Sequence, residues 1–568
     1  MSYYRVISAY LKGLKNKGLN KMLRLIRWQT AALLLFFAAA TWAQENELRE
    51  AILHEVEQVR YSERLSVGDV DVASGDLLAE FYEQREFEPA WVGIERLESL
   101  IDLAEETVAD GLDPEDYHLS DLYTVRQMMQ SGEPMSPQQR AAADIGMTDA
   151  LIRLGYHQRF GKVDPHDLDP TWNFSRELNG RNPVEFLEQA TKATSLKEFG
   201  DELFPRVELY RRLQKALADY RAIAESGGWP QVPPGPTLRS GDADDRLRVL
   251  AQRLAVTGDL PSGARLDYSA YGGELESAVK RFQARHGLDA DGIIGPATLR
   301  ALNVPANARV DQIRVNLERA RWVLDNLEPD FILVNIAGFQ VYVFRDGEEQ
   351  WATRAVVGKT YRKTPVFRSQ MKYVVFNPTW TVPYSIATKD ILPQIKKDVG
   401  YLSSRNFIVK DRSGAIVDPS SVDWASLSQR NFPYTLVQQP GTSNALGEVK
   451  FMFPNEYAVY LHDTPSKSLF GRAERTFSSG CVRVENPFDF AEQLLGPDGW
   501  DAERVERERQ TRETRSIFLS KPMPVLLLYW TAEVDDDGNV QFYEDVYERD
   551  QAVLKALDAD FNFVMPAS

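Results

Sequence analysis

The sequence predicts a multidomain α+β protein with a helical N-terminal region, a small three-helix module and a β-rich C-terminal domain. Three observations carry this. At 568 residues the chain is too long for one hydrophobic core, so two to four domains are expected. Its composition, 43% hydrophobic and 11% aromatic, is that of a folded chain. The apolar period also changes along the chain, from helical spacing to strand-like alternation after Pro329.

The chain begins with a basic segment. Arg5, Lys12, Lys15, Lys17, Lys21, Arg24 and Arg27 precede the first acid, Glu45. The stretch from Thr30 to Ala43 is apolar but shorter than the roughly 20 residues of a spanning helix. This is the pattern of a signal peptide over 1–43, with Thr41 and Ala43 as the small residues before a cut. An uncleaved membrane anchor is the alternative, and in both cases the body is exported. The net charge is −17 although the start is basic, so the body is acidic and nucleic acid is excluded as a partner.

Residues 44–225 read as a helical scaffold domain. Leu48, Ile52 and Val56 recur at helical spacing, as do Leu209 and Leu213 in the helix expected from Pro205. Tyr156 to Phe160 reads as a packed helix end rather than a site. A Gly/Pro-rich stretch then marks a linker, 226–243. In the module that follows, 244–305, Leu275, Ala278, Val279 and Phe282 form one stripe, Gly287 stops the helix, and Pro296 opens the next. A connecting helix, 306–328, carries Ile313, Leu317, Ala320, Leu324 and Leu327 on one face.

The β-rich domain spans 329–530. Phe331–Ile336 and Phe339–Phe344 flank Ala337-Gly338 as a hairpin, and further strands are expected near 352–357, 373–377, 457–461 and 525–529. An insertion over 384–449 lapses into a helix-like piece and loops, and such a long interruption is usually functional. In the C-terminal extension, 531–568, Asp535 to Asn539 resembles the start of a calcium loop. Val540 and Val546 stand where that loop needs Gly and Glu, so a hairpin turn at Asp537-Gly538 is expected instead.

Cys481 is the only cysteine, so it cannot form an intramolecular disulfide. It is either an inert thiol or one kept free for chemistry. His462 lies nineteen residues upstream, and a thiol with an imidazole is the minimal unit of cysteine nucleophile catalysis. On a strand over 457–462, Tyr460 and His462 share a face while Leu461 points away. Gly480 permits a tight turn before the sulfur, and the N–H groups of Gly480 and Cys481 could then meet an oxyanion. Protonated His462, aided by Arg483, would lower the thiol pKa. Arg483 could instead pair with Glu485, and Asp463 should face away from the site. One cysteine and six scattered histidines give no zinc-ligand spacing.

Two stretches resemble known families. Ala278 to Thr298 closely resembles the peptidoglycan-binding three-helix module. His462 with Ser478-Ser479-Gly480-Cys481-Val482-Arg483 resembles the signature of the L,D-transpeptidase catalytic domain, and Phe376 to Pro383 and Gln439 to Gly447 resemble it too. Ser479 stands where that family usually has histidine. The resemblance is to the large periplasmic type with a capping insertion, and implies the periplasm of a Gram-negative bacterium. It implies that Cys481 and His462 are catalytic, with Gly480, Ser479, Arg483 and Tyr460 shaping the site. It further implies attack on the diaminopimelate carbonyl of a tetrapeptide stem, release of D-alanine, and a 3→3 crosslink to the diaminopimelate amine of an acceptor stem. No metal or organic cofactor is needed, and other cell-wall synthesis proteins are candidate partners. The rival readings are an L,D-carboxypeptidase, with water resolving the thioester, and a catalytically dead wall-binding scaffold.

Overall fold

The computed structural model describes residues 28, 44–60, 66, 67, 70–176, 178, 180, 182–193, 195–201, 207–324, 327–561 and 563. The expected leader, 1–43, lies outside these apart from Trp28, and so does the start of the helix expected from Pro205, which is described as Glu208–Glu225. Among the described residues no helix is long and apolar enough to cross a membrane.

The N-terminal region is helical, with one small hairpin at Ser66–Val67 and Val70–Asp71. Its central helix, Pro137–Phe160, is buried over most of its length. A capping box starts it: the Ser136 hydroxyl accepts the Gln139 N–H at 3.2 Å, and the Gln139 side chain accepts the Ser136 N–H at 2.9 Å. It ends at Phe160, so the Tyr156–Phe160 string is a packed helix end. In the module, helices Leu247–Val256, Gly273–Arg285 and Pro296–Leu302 enclose the Leu275–Phe282 stripe. Gly287 takes φ +64°, as the helix stop requires. The Gly/Pro-rich segment before it is stitched down rather than loose. Trp229, Val232 and Leu238 are buried, and the Arg253 guanidinium lies 3.9 Å from the Trp229 ring.

Helix Ala306–Arg321 does more than connect. Ile313, Leu317 and Ala320 pack into the core of the C-terminal domain together with Tyr210 and Leu217, while Val315 faces the N-terminal core. Its Glu318 and Arg321 form a fully buried ion pair at 2.5 Å. Arg321 also donates to the Asp110 carbonyl and the Tyr210 hydroxyl. Removing one partner of such a pair strands the other charge, so Arg321→Met should cost about 3–5 kcal/mol. A urea unfolding midpoint unchanged from wild type would show that the pair does not hold these regions together. The helix stops before Leu327, which the sequence pattern had included.

The strands of the C-terminal domain and its extension are β1 Phe331–Asn335, β2 Gln340–Arg345, β3 Glu348–Gly358, β4 Phe367–Phe376, β5 Trp380–Thr381, β6 Phe407–Lys410, β7 Ile416–Val417, β8 Thr435–Gln438, β9 Val449–Met452, β10 Leu461–His462, β11 Thr476–Ser478, β12 Val482–Val484, β13 Arg515–Leu528, β14 Ala532–Val534 and β15 Val540–Phe542. The main sheet runs β11-β3-β12-β10-β9-β4-β13-β1-β2, and β2 also pairs with β3. Strands β3, β12, β10, β9, β4, β13, β1 and β2 therefore close into a ring, and β11 pairs with β3 outside it. Val341, Val374, Phe376, Phe451, Leu461, Val482 and Val484 fill the core, and Phe490 of helix Pro487–Leu495 stacks 5.4 Å from Trp351. Strand β10 is shorter than the sequence pattern suggested. Ala458 takes φ +53°, which breaks the extended run before Leu461.

The insertion is not a set of loops. Strands β5-β8-β6-β7 form their own sheet, backed by helices Leu392–Lys397 and Gly400–Ser404. Val382, Ile391, Ile395, Leu402, Val409, Trp424 and Leu436 give it a separate core. In the extension, β14 and β15 form a hairpin whose turn has Gly538 at φ +82°, as Asp537-Gly538 predicts.

Candidate active site

Cys481 lies in the turn between β11 and β12, beside the parallel pair β10–β12. Gly480 holds φ +116°, a conformation that side chains oppose, so the turn depends on glycine. The turn is braced from both sides. The Ser478 hydroxyl donates to the Cys481 carbonyl at 2.5 Å and accepts the Gly480 N–H at 3.1 Å. The Gly480 N–H is thus engaged within the turn, contrary to its expected role as an oxyanion donor. Thr364 donates to the Gly480 carbonyl at 2.9 Å and accepts the Gly358 N–H. The Tyr547 hydroxyl in turn accepts the Thr364 N–H and donates to the Gly358 carbonyl. A C-terminal tyrosine therefore supports the loop next to the sulfur. Thr364→Val should lower acyl transfer about tenfold with little change in iodoacetamide alkylation, because it loosens the carbonyl clamp without touching the thiol. Equal losses in both rates would place the threonine at the sulfur instead.

His462 and Tyr460 share a face as parity predicts, with ring centroids 5.7 Å apart. The His462 Nδ1 donates to the Asp463 carbonyl, so the proton sits on Nδ1 and Nε2 keeps its lone pair. The orienting group is thus a backbone carbonyl. The Asp463 carboxylate itself is taken up by Lys467 at 2.6 Å and by the Thr464 and Glu448 N–H groups. This aspartate fixes another residue's identity, since a Cβ at Gly447 would meet its carboxylate at 2.2 Å.

The electrostatics correct the expected thiolate–imidazolium pair. Burial pulls the His462 pKa down to about 3, and Arg483 and Lys450 add to the fall, so the imidazole is neutral at working pH. Burial pushes the Cys481 thiol up. The N–H and hydroxyl of Tyr460, then Lys450 and Arg483, pull the other way without overcoming it. The Sγ also approaches the Ala458 carbonyl at 3.7 Å. At rest the thiol and the imidazole are both neutral.

Arg483 does not pair with Glu485, which is held bidentately by Arg354 at 2.6 and 2.7 Å. Ser479 accepts a hydrogen bond from Arg362 at 2.9 Å, and Arg362 also reaches Asp390 of the insertion at 3.1 Å. Sequence reasoning missed Lys450, Thr364, Tyr547 and Arg362. Lys450 was within reach through strand register, but none of the four belongs to a local motif.

Three family models match the chain. Residues 329–509 match the L,D-transpeptidase catalytic domain, 244–302 the peptidoglycan binding domain, itself provisionally described, and 76–217 the Scaffold domain. A Haemophilus influenzae protein provisionally named an L,D-transpeptidase is 38% identical over 245 residues, covering 43% of this chain and 48% of the relative. The match thus spans about half the length of that relative. Crystal structures of L,D-transpeptidases from Stackebrandtia nassauensis and Xylanimonas cellulosilytica align with 14% and 17% identity. They cover 53% and 52% of this chain and 96% and 100% of their own, with TM-scores of 0.20 and 0.17, too low to bear on the site.

Proposed function

We propose that this chain, which carries an L,D-transpeptidase catalytic domain with peptidoglycan-binding and scaffold domains, crosslinks peptidoglycan through a thioester on Cys481. The observation that supports this most is Cys481 on its glycine turn, next to the strand that carries a neutral histidine oriented through Nδ1 by the Asp463 carbonyl.

The Cys481 sulfur attacks the diaminopimelate carbonyl of a tetrapeptide donor stem as its proton passes to His462. Tyr460 and the Cys481 N–H would donate hydrogen bonds to the developing oxyanion. Collapse breaks the C–N bond, and the imidazolium returns the proton to the departing D-alanine amine. The side-chain amine of an acceptor diaminopimelate then attacks the thioester. His462 takes the amine proton and hands it to the leaving sulfur, which regenerates the thiol and leaves a 3→3 amide. An exported body of the large periplasmic type would carry out this reaction in the periplasm of a Gram-negative cell.

Product mass spectrometry after incubation with disaccharide-tetrapeptide tests the reading. A dimer lighter by one D-alanine is the expected result. Tripeptide alone would make the enzyme an L,D-carboxypeptidase, and unchanged substrate would favour the inactive scaffold. A carbapenem should add once, on the peptide containing Cys481, because its strained carbonyl is an acyl donor for the same thiol. An unmodified protein after prolonged exposure would contradict this.

A further inference from the structure

Two cations flank His462, and among the described residues no carboxylate pairs with either. In the sheet Lys450 of β9 stands opposite His462, and His462 stands opposite Arg483 of β12. Residues directly opposite share a face, so the three side chains form one row. Cys481, in the turn just before β12, is close enough for both Lys450 and Arg483 to act on its thiol. The Lys450 ammonium sits 3.7 Å from the Tyr460 ring centroid, and Tyr460 contacts the sulfur.

The neighbouring carboxylates are committed elsewhere. Glu485 is held by Arg354, Asp463 by Lys467, and Glu448 by Arg509 at 3.2 Å. Among the described residues neither Lys450 nor Arg483 has a carboxylate partner, and the Arg483 Nε is buried without any hydrogen bond. Arg321 and Arg285, buried in the same chain, each face an acid, while the buried Arg253 and Arg309 lie over the rings of Trp229 and Phe542. Desolvated like charges side by side are costly unless an anion joins them. Burial lowers both pKa values, and the cysteine is the one group that pulls each back up.

We propose that Lys450 and Arg483 form a carboxylate subsite for the free α-carboxylate of the residue just beyond the bond that Cys481 breaks. This rests on the acyl-transfer reading above. That carboxylate is joined to the scissile carbonyl only through N and Cα. An anion held at Arg483 therefore brings the carbonyl to the nearby sulfur. The subsite restricts cleavage to the last peptide bond of a stem, because one further residue would carry its carboxylate past the pair. When the leaving amino acid departs, its charge goes with it. The vacated cations then disfavour a protonated amine and favour the neutral one, which is the nucleophile the second step needs.

The test uses the full chain and two tetrapeptide donors, one with a free C-terminal carboxylate and one with a carboxamide. Release of D-alanine or D-alaninamide is followed by mass spectrometry, and iodoacetamide alkylation reports the thiol. Wild type should prefer the acid about 10- to 100-fold in kcat/KM, the range for a charge-assisted hydrogen bond. Lys450→Met and Arg483→Met should each shrink that ratio, while Lys450→Arg should keep most of it. The ratio is insensitive to a general loss of active enzyme, and the wild-type comparison stands even if a variant does not fold. Equal use of acid and amide by wild type overturns the subsite. So does an unchanged ratio in both Met variants, and slower alkylation at an unchanged ratio would assign the cations to the thiolate alone. If wild type consumes neither donor, the acyl-transfer reading fails, and the subsite with it.

Discussion

Cys481→Ala should abolish crosslinked product altogether while leaving the protein folded. The chain has no second thiol to substitute. The turn should survive, because its shape comes from Gly480 and from the hydrogen bonds of Ser478 and Thr364, none of which involve the sulfur. The variant should therefore keep the circular dichroism and thermal transition of wild type and show no acyl adduct by intact mass. Crosslinking at wild-type rate by this variant would remove the mechanism entirely. A folding defect would instead mean that the sulfur packs rather than reacts.

His462→Ala should lower turnover by about 10²–10⁴, the usual contribution of a general acid–base. Its pH signature is the sharper result. The imidazole, pulled to about 3, is already neutral over the working range, while burial holds the thiol above its usual value. Iodoacetamide alkylation of wild type should therefore keep rising through pH 9 as the thiol ionises. A thiolate held by an imidazolium would instead give a plateau from acid to neutral pH. That plateau, lost on His462→Ala, would restore the ion-pair mechanism.

The parts of the molecule legible in the sequence are those written locally. Gly287 and Pro296 bound helices because their backbones act at the residue itself. The pairing of Tyr460 with His462 follows from strand parity and survives the shortening of β10. The insertion was illegible because strands of two to four residues, such as β5 and β7, are too short to show a period. The charge state of His462 was also illegible, since burial and the neighbouring cations exist only after the sheet has assembled. Glu485 stood as the alternative partner of Arg483 because it is close in sequence. Arg354, 131 residues from Glu485 along the chain, wins because it reaches both carboxylate oxygens. Tyr547 supports the nucleophile turn from the far end of the chain, beyond the reach of any local rule.

The packed segment before the three-helix module bears on how the wall polymer would be presented to the thiol. A flexible tether gives a tethered partner a broad spread of distances, and effective concentration then follows chain length. Here Trp229, Val232 and Leu238 are buried, and the Trp229 indole is hydrogen-bonded to the Val304 carbonyl just before helix Ala306–Arg321. The chain between the helical region and the module has no slack. Under the proposed function, a strand gripped by the module would then be offered to the cysteine at one separation and in one orientation. Substrate spacing, rather than affinity alone, would decide which stems are within reach.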